Sequence, residues 1–376
     1  MKMEIPIKDN ILIWAIERAG YNLHEFSRKF PHISAWLSGE KKPTLKQLIN
    51  FSKKVHIPFG YLLLDEPVRE EFPIPFFRTQ KNGDNRISLN VYDTVLMLQQ
   101  RQAWISDYLK ENGYEPLDFI GKFSQSNDIK EIVGDIREKL KLKDNWALEL
   151  QSWRYAKDFL KEKIEEIGIF TVFNSVVGNN THRPIKVEEC RGFVLVDNYA
   201  PFVFINSADS VSAQIFTLAH ELAHIWLGKS AGFDFRQLLP ADNPIEIFCN
   251  KVAAEFLVSE ELLTKEIQKT IDIEELASKF KVSQIVIARR LLDLEKINRN
   301  EFFKFYENYI KSELRQKERK SSGGDFYNTE KQRLGHRFVY FVYQAVQENK
   351  LLFRDAYRLT GLNGNTFHKF MKELFS

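Results

Sequence analysis

The chain has 376 residues, 44% hydrophobic and 28% charged, a balance that supports buried cores and excludes a wholly disordered, collagen-like or membrane-bundle protein. No stretch reaches the ~18 consecutive apolar residues of a membrane helix, and Met1–Asn10 has no apolar run of signal-peptide type. Two cysteines, Cys190 and Cys249, exclude a disulfide framework and fit a reducing cytoplasm, while a net charge of +3 provides no global attraction for nucleic acid.

The first 64 residues carry ten Lys/Arg against five Asp/Glu, so this end is locally basic. They read as short helices: Ile11–Ala19 stopping at Gly20, Leu23–Phe30 before Pro31, Ile33–Leu37 before Ser38-Gly39, and Leu45–Val55 capped by Thr44. Ile57–Leu64 closes the unit, and the proline-rich run Asp65–Pro75 reads as a linker. Helical periodicity dominates residues 90–167, with Asp128–Leu140 and Trp146–Ile167 as separate helices. Ile169–Phe173, Gly192–Asp197 and Pro201–Ile205 are short, β-branched and aromatic, as strands are, with Asn198-Tyr199 able to turn the second into the third. Ala213–Leu227, Pro244–Leu257, Glu275–Phe280 and Gln284–Leu294 return to helix. Lys317–Gly324 reads as a linker, and a small helical unit follows from Asp325. The expected fold is α+β and mostly helical: a small sheet with two site-bearing helices, flanked by helical units. The expected divisions are 1–66, 67–150, 151–298 and 299–376.

The strongest chemical signal is His220-Glu221-Leu222-Ala223-His224. Histidines at i and i+4 share one face of a helix and can reach a single metal ion. Glu221, beside the first, can serve as general base toward a water on that metal. The motif lies in an apolar helix (Phe216, Leu218, Ala219, Leu222, Ala223, Ile225, Trp226), where two His and a Glu would be costly without a compensating partner. A catalytic zinc site needs a third protein ligand. Glu246, at the start of the next helix, is a candidate, though the same residue also suits a solvent-facing glutamate at a helix N-terminus. Asp234, Asp242 and Glu255 are rivals, and Cys249 reads as a small buried residue. Asn250, one turn after Glu246, can accept a hydrogen bond from a ligand histidine.

Several linked motifs add a resemblance. Arg191–Asp197, Pro201–Asn206, Phe216–Gly228, Glu246–Leu257, Leu276–Ser283 and Ala288–Leu292 together resemble the ImmA/IrrE family of zinc metallopeptidases over roughly residues 160–295. The resemblance implies a zincin-like core with Zn2+ held by His220, His224 and Glu246, Asn250 behind them and Glu221 as catalytic base. It implies an endopeptidase whose protein substrate is a transcriptional repressor or other regulator. Cys249 stands where the family usually has Ala, and Val258-Ser259 where it usually has Met-Pro; neither touches the inferred ligands. An oxyanion donor is left open among His182, Tyr327, His336 and Arg191. If Pro201–Ile205 is an edge strand, an extended peptide could pair with it.

Ile33–Gly39, Pro43-Thr44, Gln47-Leu48, Pro58 and Leu62 resemble the helix-turn-helix of Cro/repressor-type proteins. Only five residues separate Ser27 from Ile33, where that pattern has about nine. The missing residues are the turn and the start of the recognition helix, so docking or self-association is expected ahead of specific DNA reading. Lys41, Lys42 and Lys46 could still contact DNA phosphates. Pro73–Thr79 and Gly323–Tyr327 also resemble segments of longer family members. The alternative to a peptidase is a non-proteolytic, metal-binding transcriptional regulator or toxin–antitoxin component acting through DNA or a protein partner.

Overall fold

Cap residues written into the sequence end most helices where they end. The computed structural model describes residues 4–69, 76–77, 88–124, 128–233, 243–269, 271–316 and 326–375. They fall into two compact units, Met1–Pro73 with Arg86–Tyr92, and Ile74–Asn85 with Asp93–Ser376.

The first unit holds α1 (Asp9–Arg18), α2 (Leu23–Lys29), α3 (His32–Leu37), α4 (Leu45–Val55) and a 3-10 turn, Phe59–Leu63. The Asn22 side chain accepts from the Glu25 N–H at 2.7 Å and so starts α2. Thr44 and Gln47 form a reciprocal capping box, with the Thr44 N–H donating to Gln47 Oε1 at 2.9 Å. Phe26, Phe30, Trp36 and Phe51 meet in an aromatic cluster with ring centroids 5.3–5.9 Å apart. Ile11, Ala15, Ile33, Leu48 and Val55 complete this core. Lys41, Lys42 and Lys46 are exposed.

The second unit runs β1 (Phe76–Phe77), α5 (Leu89–Glu111, its first turn counted with the other unit), α6 (Ile129–Leu140), α7 (Trp153–Glu166), β2 (Phe170–Asn174), β3 (Val176–Val177), β4 (Asn180–Pro184), β5 (Gly192–Leu195), β6 (Phe202–Asn206), α8 (Val211–Leu227), β7 (Ala231–Phe233) and α9 (Pro244–Leu257). It continues with α10 (Glu260–Ile267), α11 (Ile273–Phe280), α12 (Gln284–Asp293), α13 (Arg299–Gln316), α14 (Phe326–Leu334), α15 (His336–Gln347), α16 (Phe353–Thr360) and α17 (Gly364–Phe375). The molecule is thus mostly helical with a small mixed sheet. Trp146 is not in a helix: α7 begins at Trp153, because the Ser152 side chain caps it by accepting from the Tyr155 N–H. The Lys317–Gly324 linker reading lies outside the described residues, as do residues 70–75 of the Asp65–Pro75 one.

The main sheet has the order β1-β7-β5-β6-β2. β6 is parallel to β2 and antiparallel to β5, so the Pro201–Ile205 strand is central and offers no free edge to a peptide. Strands β2, β5 and β6 are buried throughout, and their phenylalanines pair across the ladder: Phe170 with Phe202 at 4.9 Å, Phe193 with Phe204 at 4.8 Å. On the β2 side Gly335, at the α14–α15 junction, presses its backbone against the Thr171 carbonyl with φ +81°. A side chain there would overlap that oxygen.

Helix α8 packs on β5 and β6, and α9 packs on α8. The Ser210 hydroxyl accepts from the Ala213 N–H at the N-terminus of α8, and Gly228 caps its C-terminus. Carbonyls of the last turn, which have no partner inside a helix, are taken up by a passing segment: the Gly121 N–H donates to the Ile225 carbonyl and the Phe123 N–H to that of Trp226, both at 3.0 Å. Trp226 stacks on Phe119 at 4.6 Å and donates its indole N–H to Asp135 at 2.7 Å. The site-bearing helix is held at both ends and along one face.

Candidate metal centre

Leu222, Ala223 and Ile225 anchor α8 in the core, and the 3.6-residue period then puts His220 and His224 on the face toward α9. Asn243 caps α9 by accepting from the Ile245 N–H at 2.8 Å, and Pro244 opens it, which fixes Glu246 in its first turn.

His220, His224 and Glu246 each turn a ligand atom to one point, the atoms lying within 4.8 Å of one another; no other such group occurs among the described residues. His220 Nε2 lies 3.1 Å from His224 Nε2 and 3.1 Å from Glu246 Oε2. His224 Nε2 lies 3.2 Å from Glu246 Oε1, yet that oxygen is outside hydrogen-bond geometry. Two imidazole nitrogens facing each other while a carboxylate oxygen stands off the donor line is a poor hydrogen-bond arrangement. It is a good set of lone pairs for a cation. Zn–N and Zn–O distances of about 2.0–2.1 Å in a tetrahedron put neighbouring ligand atoms about 3.3 Å apart.

Electrostatics agree with this reading. His220, Glu221 and His224 are wholly buried and Glu246 is 1% exposed, so every charge here is desolvated. Burial would by itself raise Glu246, but His220 and His224 outweigh it and hold its carboxyl down at about 2. Burial pushes the His224 imidazole below its usual range, toward the neutral, ligating form. The Asn250 Oδ1 lies 3.0 Å from His220 Nδ1; accepting the proton there makes Nε2 the nitrogen that carries the ring's lone pair. Both Glu221 oxygens and His224 Nδ1 lack a hydrogen-bond partner among the described residues. Burial, with the Glu246 charge adding to it, drives the Glu221 carboxyl well above its usual range. A buried, charged Glu246 beside two histidines and an unpartnered Glu221 would be compensated by a divalent cation, and the donor set fits one.

The rivals resolve differently. Glu255 is tied to Arg290, whose guanidinium also donates to the Val258 carbonyl at 3.0 Å. Asp234 and Asp242 lie outside the described residues. Cys249 is buried and its thiol is pushed up by burial, so it stays protonated. Of the oxyanion candidates, Arg191 pairs with Asp209 at 3.1 Å, His182 is exposed on β4, His336 lies tilted against Phe375 at 6.1 Å, and the Tyr327 side chain lies outside the described residues. One site residue had no role in the sequence reading. Gly192 opens β5 directly against Glu221: a Cβ there would come 3.2 Å from Glu221 Oε1 and 2.9 Å from the Phe204 carbonyl. Its only sequence signal is a glycine at the first position of a buried strand.

No helix among the described residues is long and apolar enough to cross a membrane. No curated protein and no solved structure matches the chain. Residues 334–373 match a domain of unknown function, DUF8813. Residues 164–292, the span that contains β2, β5, β6 and both site helices, match the model of the IrrE N-terminal-like domain of the peptidase M78 family.

Proposed function

We propose that this chain is a zinc-dependent endopeptidase that cuts a regulatory protein, a transcriptional repressor being the expected class. The observation that carries the reading is the convergence of three buried ligand residues, whose two imidazole nitrogens and two carboxylate oxygens face one another at 3.1–3.2 Å, with an unpartnered glutamate beside them. His220, His224 and Glu246 would hold a zinc ion, which when bound would supply Lewis-acid polarisation of the peptide carbonyl and acidify the attacking water. Glu221 takes the proton of the attacking water on a carboxylate oxygen and delivers it to the departing amine. Asn250 holds His220 in the tautomer that ligates through Nε2. The buried, apolar surround of α8 keeps bulk water from these groups. A purely structural metal would need no base such as Glu221 at its side.

In the same reading the N-terminal unit is a helix-turn-helix-like docking module. Its exposed lysines, Lys41, Lys42 and Lys46, offer phosphate contacts as a second role.

The test measures bound zinc and cleavage together. Wild type, Glu221→Gln and His224→Ala are each co-expressed with repressors encoded beside the gene. Glu221→Gln is expected to keep zinc and lose cleavage by at least ~100-fold, and His224→Ala to lose both. Undiminished cleavage by Glu221→Gln sinks the base assignment. Absence of cleavage together with a steeply salt-dependent shift of a promoter fragment favours the regulator reading.

A further inference from the structure

The sheet edge beside Glu221 is already occupied. Gly192 begins β5 against Glu221, so a peptide strand hydrogen-bonded directly to β5 would bring its carbonyls within reach of that carboxylate. That edge of β5 pairs instead with residues 231–233 of the same chain, in antiparallel register: Gly192 with Phe233, Phe193 with Gly232, Val194 with Ala231. The outer edge of β7 is in turn covered by β1, which runs parallel to it: Phe76 with Gly232, Phe77 with Phe233. One row therefore crosses the sheet as Phe77, Phe233, Gly192 and Ile205.

Distance decides what this row permits. Strands lie about 4.8 Å apart, so the β7 backbone is about 5 Å from Gly192, β1 about 10 Å, and a strand added outside β1 about 14 Å. A general base acts at about 3 Å, or across one water. Of these places, only the one held by residues 231–233 lies within the span of one water. The opposite edge of the sheet, β2, is two strands from β5 and carries Gly335 against the Thr171 carbonyl.

We propose that residues 231–233 occupy the position of an extended peptide substrate and that Phe76–Phe77 strap them there. This rests on the peptidase reading above. The occupying pair is built to be weak: β7 is three residues with a central glycine, and β1 is two. Withdrawal of Phe76–Phe77, which follow the first unit in sequence by a few residues, frees β7 to peel from β5 and an incoming peptide to replace it antiparallel.

The test uses the full-length, zinc-loaded chain. The F76P/F77P variant removes both β1 amide donors, and F77C/F233C allows the strap to be locked by oxidation. Hydrogen exchange at residues 192–195 and 231–233 reads the strap without reference to activity; cleavage of casein, an unstructured protein, reads the consequence. F76P/F77P is expected to exchange at least ~10-fold faster at both segments and to cut casein at least ~10-fold faster than wild type, with zinc content unchanged. Oxidised F77C/F233C is expected to cut more slowly than wild type and to recover on reduction. Unchanged exchange in F76P/F77P overturns the strap, and so does faster exchange with casein cleavage equal to wild type and above the Glu221→Gln blank. Zinc bound, exchange opened and no casein cleavage above that blank by any form overturns the proposal, whereas the peptidase reading itself falls only if the co-expressed repressors are also left uncut.

Discussion

At the scale of single residues, Asn250 shows how a polar side chain behind a ligand sets the chemistry in front of it. Its Oδ1 lies 3.0 Å from His220 Nδ1 and takes the proton there, which makes Nε2 the ligand atom. Asn250→Ala removes the acceptor and frees the imidazole to rotate or to change tautomer. Loss of such a partner typically costs 10–100-fold in metal affinity. We expect zinc affinity to fall by about that factor while the fold is retained, measured by competition with a chromogenic chelator and by circular dichroism. Unchanged affinity would mean that packing alone orients His220. Gly192 belongs at this scale too: it brings the β5 backbone to Glu221, and no side chain could replace it without meeting the Phe204 carbonyl at 2.9 Å.

At the scale of elements, the junction of α14 and α15 carries a firm prediction. Gly335 has φ +81° and its backbone lies on the Thr171 carbonyl of β2. Gly335→Ala adds both a left-handed backbone strain and an overlap with a buried strand, together about 3 kcal/mol. Denaturant unfolding followed through the second unit should show a midpoint lowered accordingly; an unchanged midpoint would mean that the junction is free to shift. The same elements show what a sequence reader can see. Pro244–Leu257 is legible to the residue because Asn243 and Pro244 mark its start, and Leu45–Val55 because Thr44 and Gln47 box it. His220 and His224 are legible together because the helix period is a local signal, whereas spacing alone leaves Glu246 among rivals and only the family resemblance singles it out. The Trp146–Ile167 reading starts seven residues early, since the apolar period runs on through a turn that Ser152 in fact ends. β1 and β7 were not legible at all. Two and three residues carry no period, and what makes them strands is pairing with distant segments, β1 with β7 and β7 with β5. Gly192 needed the fold, because its neighbours Thr217 and Glu221 come from another element.

At the scale of the whole molecule, two compact units with separate cores should respond differently to the metal. The first has its own aromatic core around Phe26, Trp36 and Phe51, and no metal-ligand group was found among its described residues. The second builds its largest core around α8 and α9, so the ligands and the core are the same helices. A cation that binds only the folded state adds RT ln(1 + [L]/Kd), about 4 kcal/mol at a thousandfold excess over Kd. Without it, the buried Glu246 carboxylate faces two histidines and an unpartnered Glu221, which the fold must carry at a cost. Scanning calorimetry of the full chain, with zinc and after chelation, is therefore expected to show two transitions. The one belonging to the second unit should fall on the order of 10 °C when zinc is removed and return when it is added back. The other should stay where it is, because nothing in its core depends on the ion. A metal-independent second transition would leave His220, His224 and Glu246 as a buried hydrogen-bonded cluster and remove the basis for hydrolysis; a shift in both would show that the two units unfold as one.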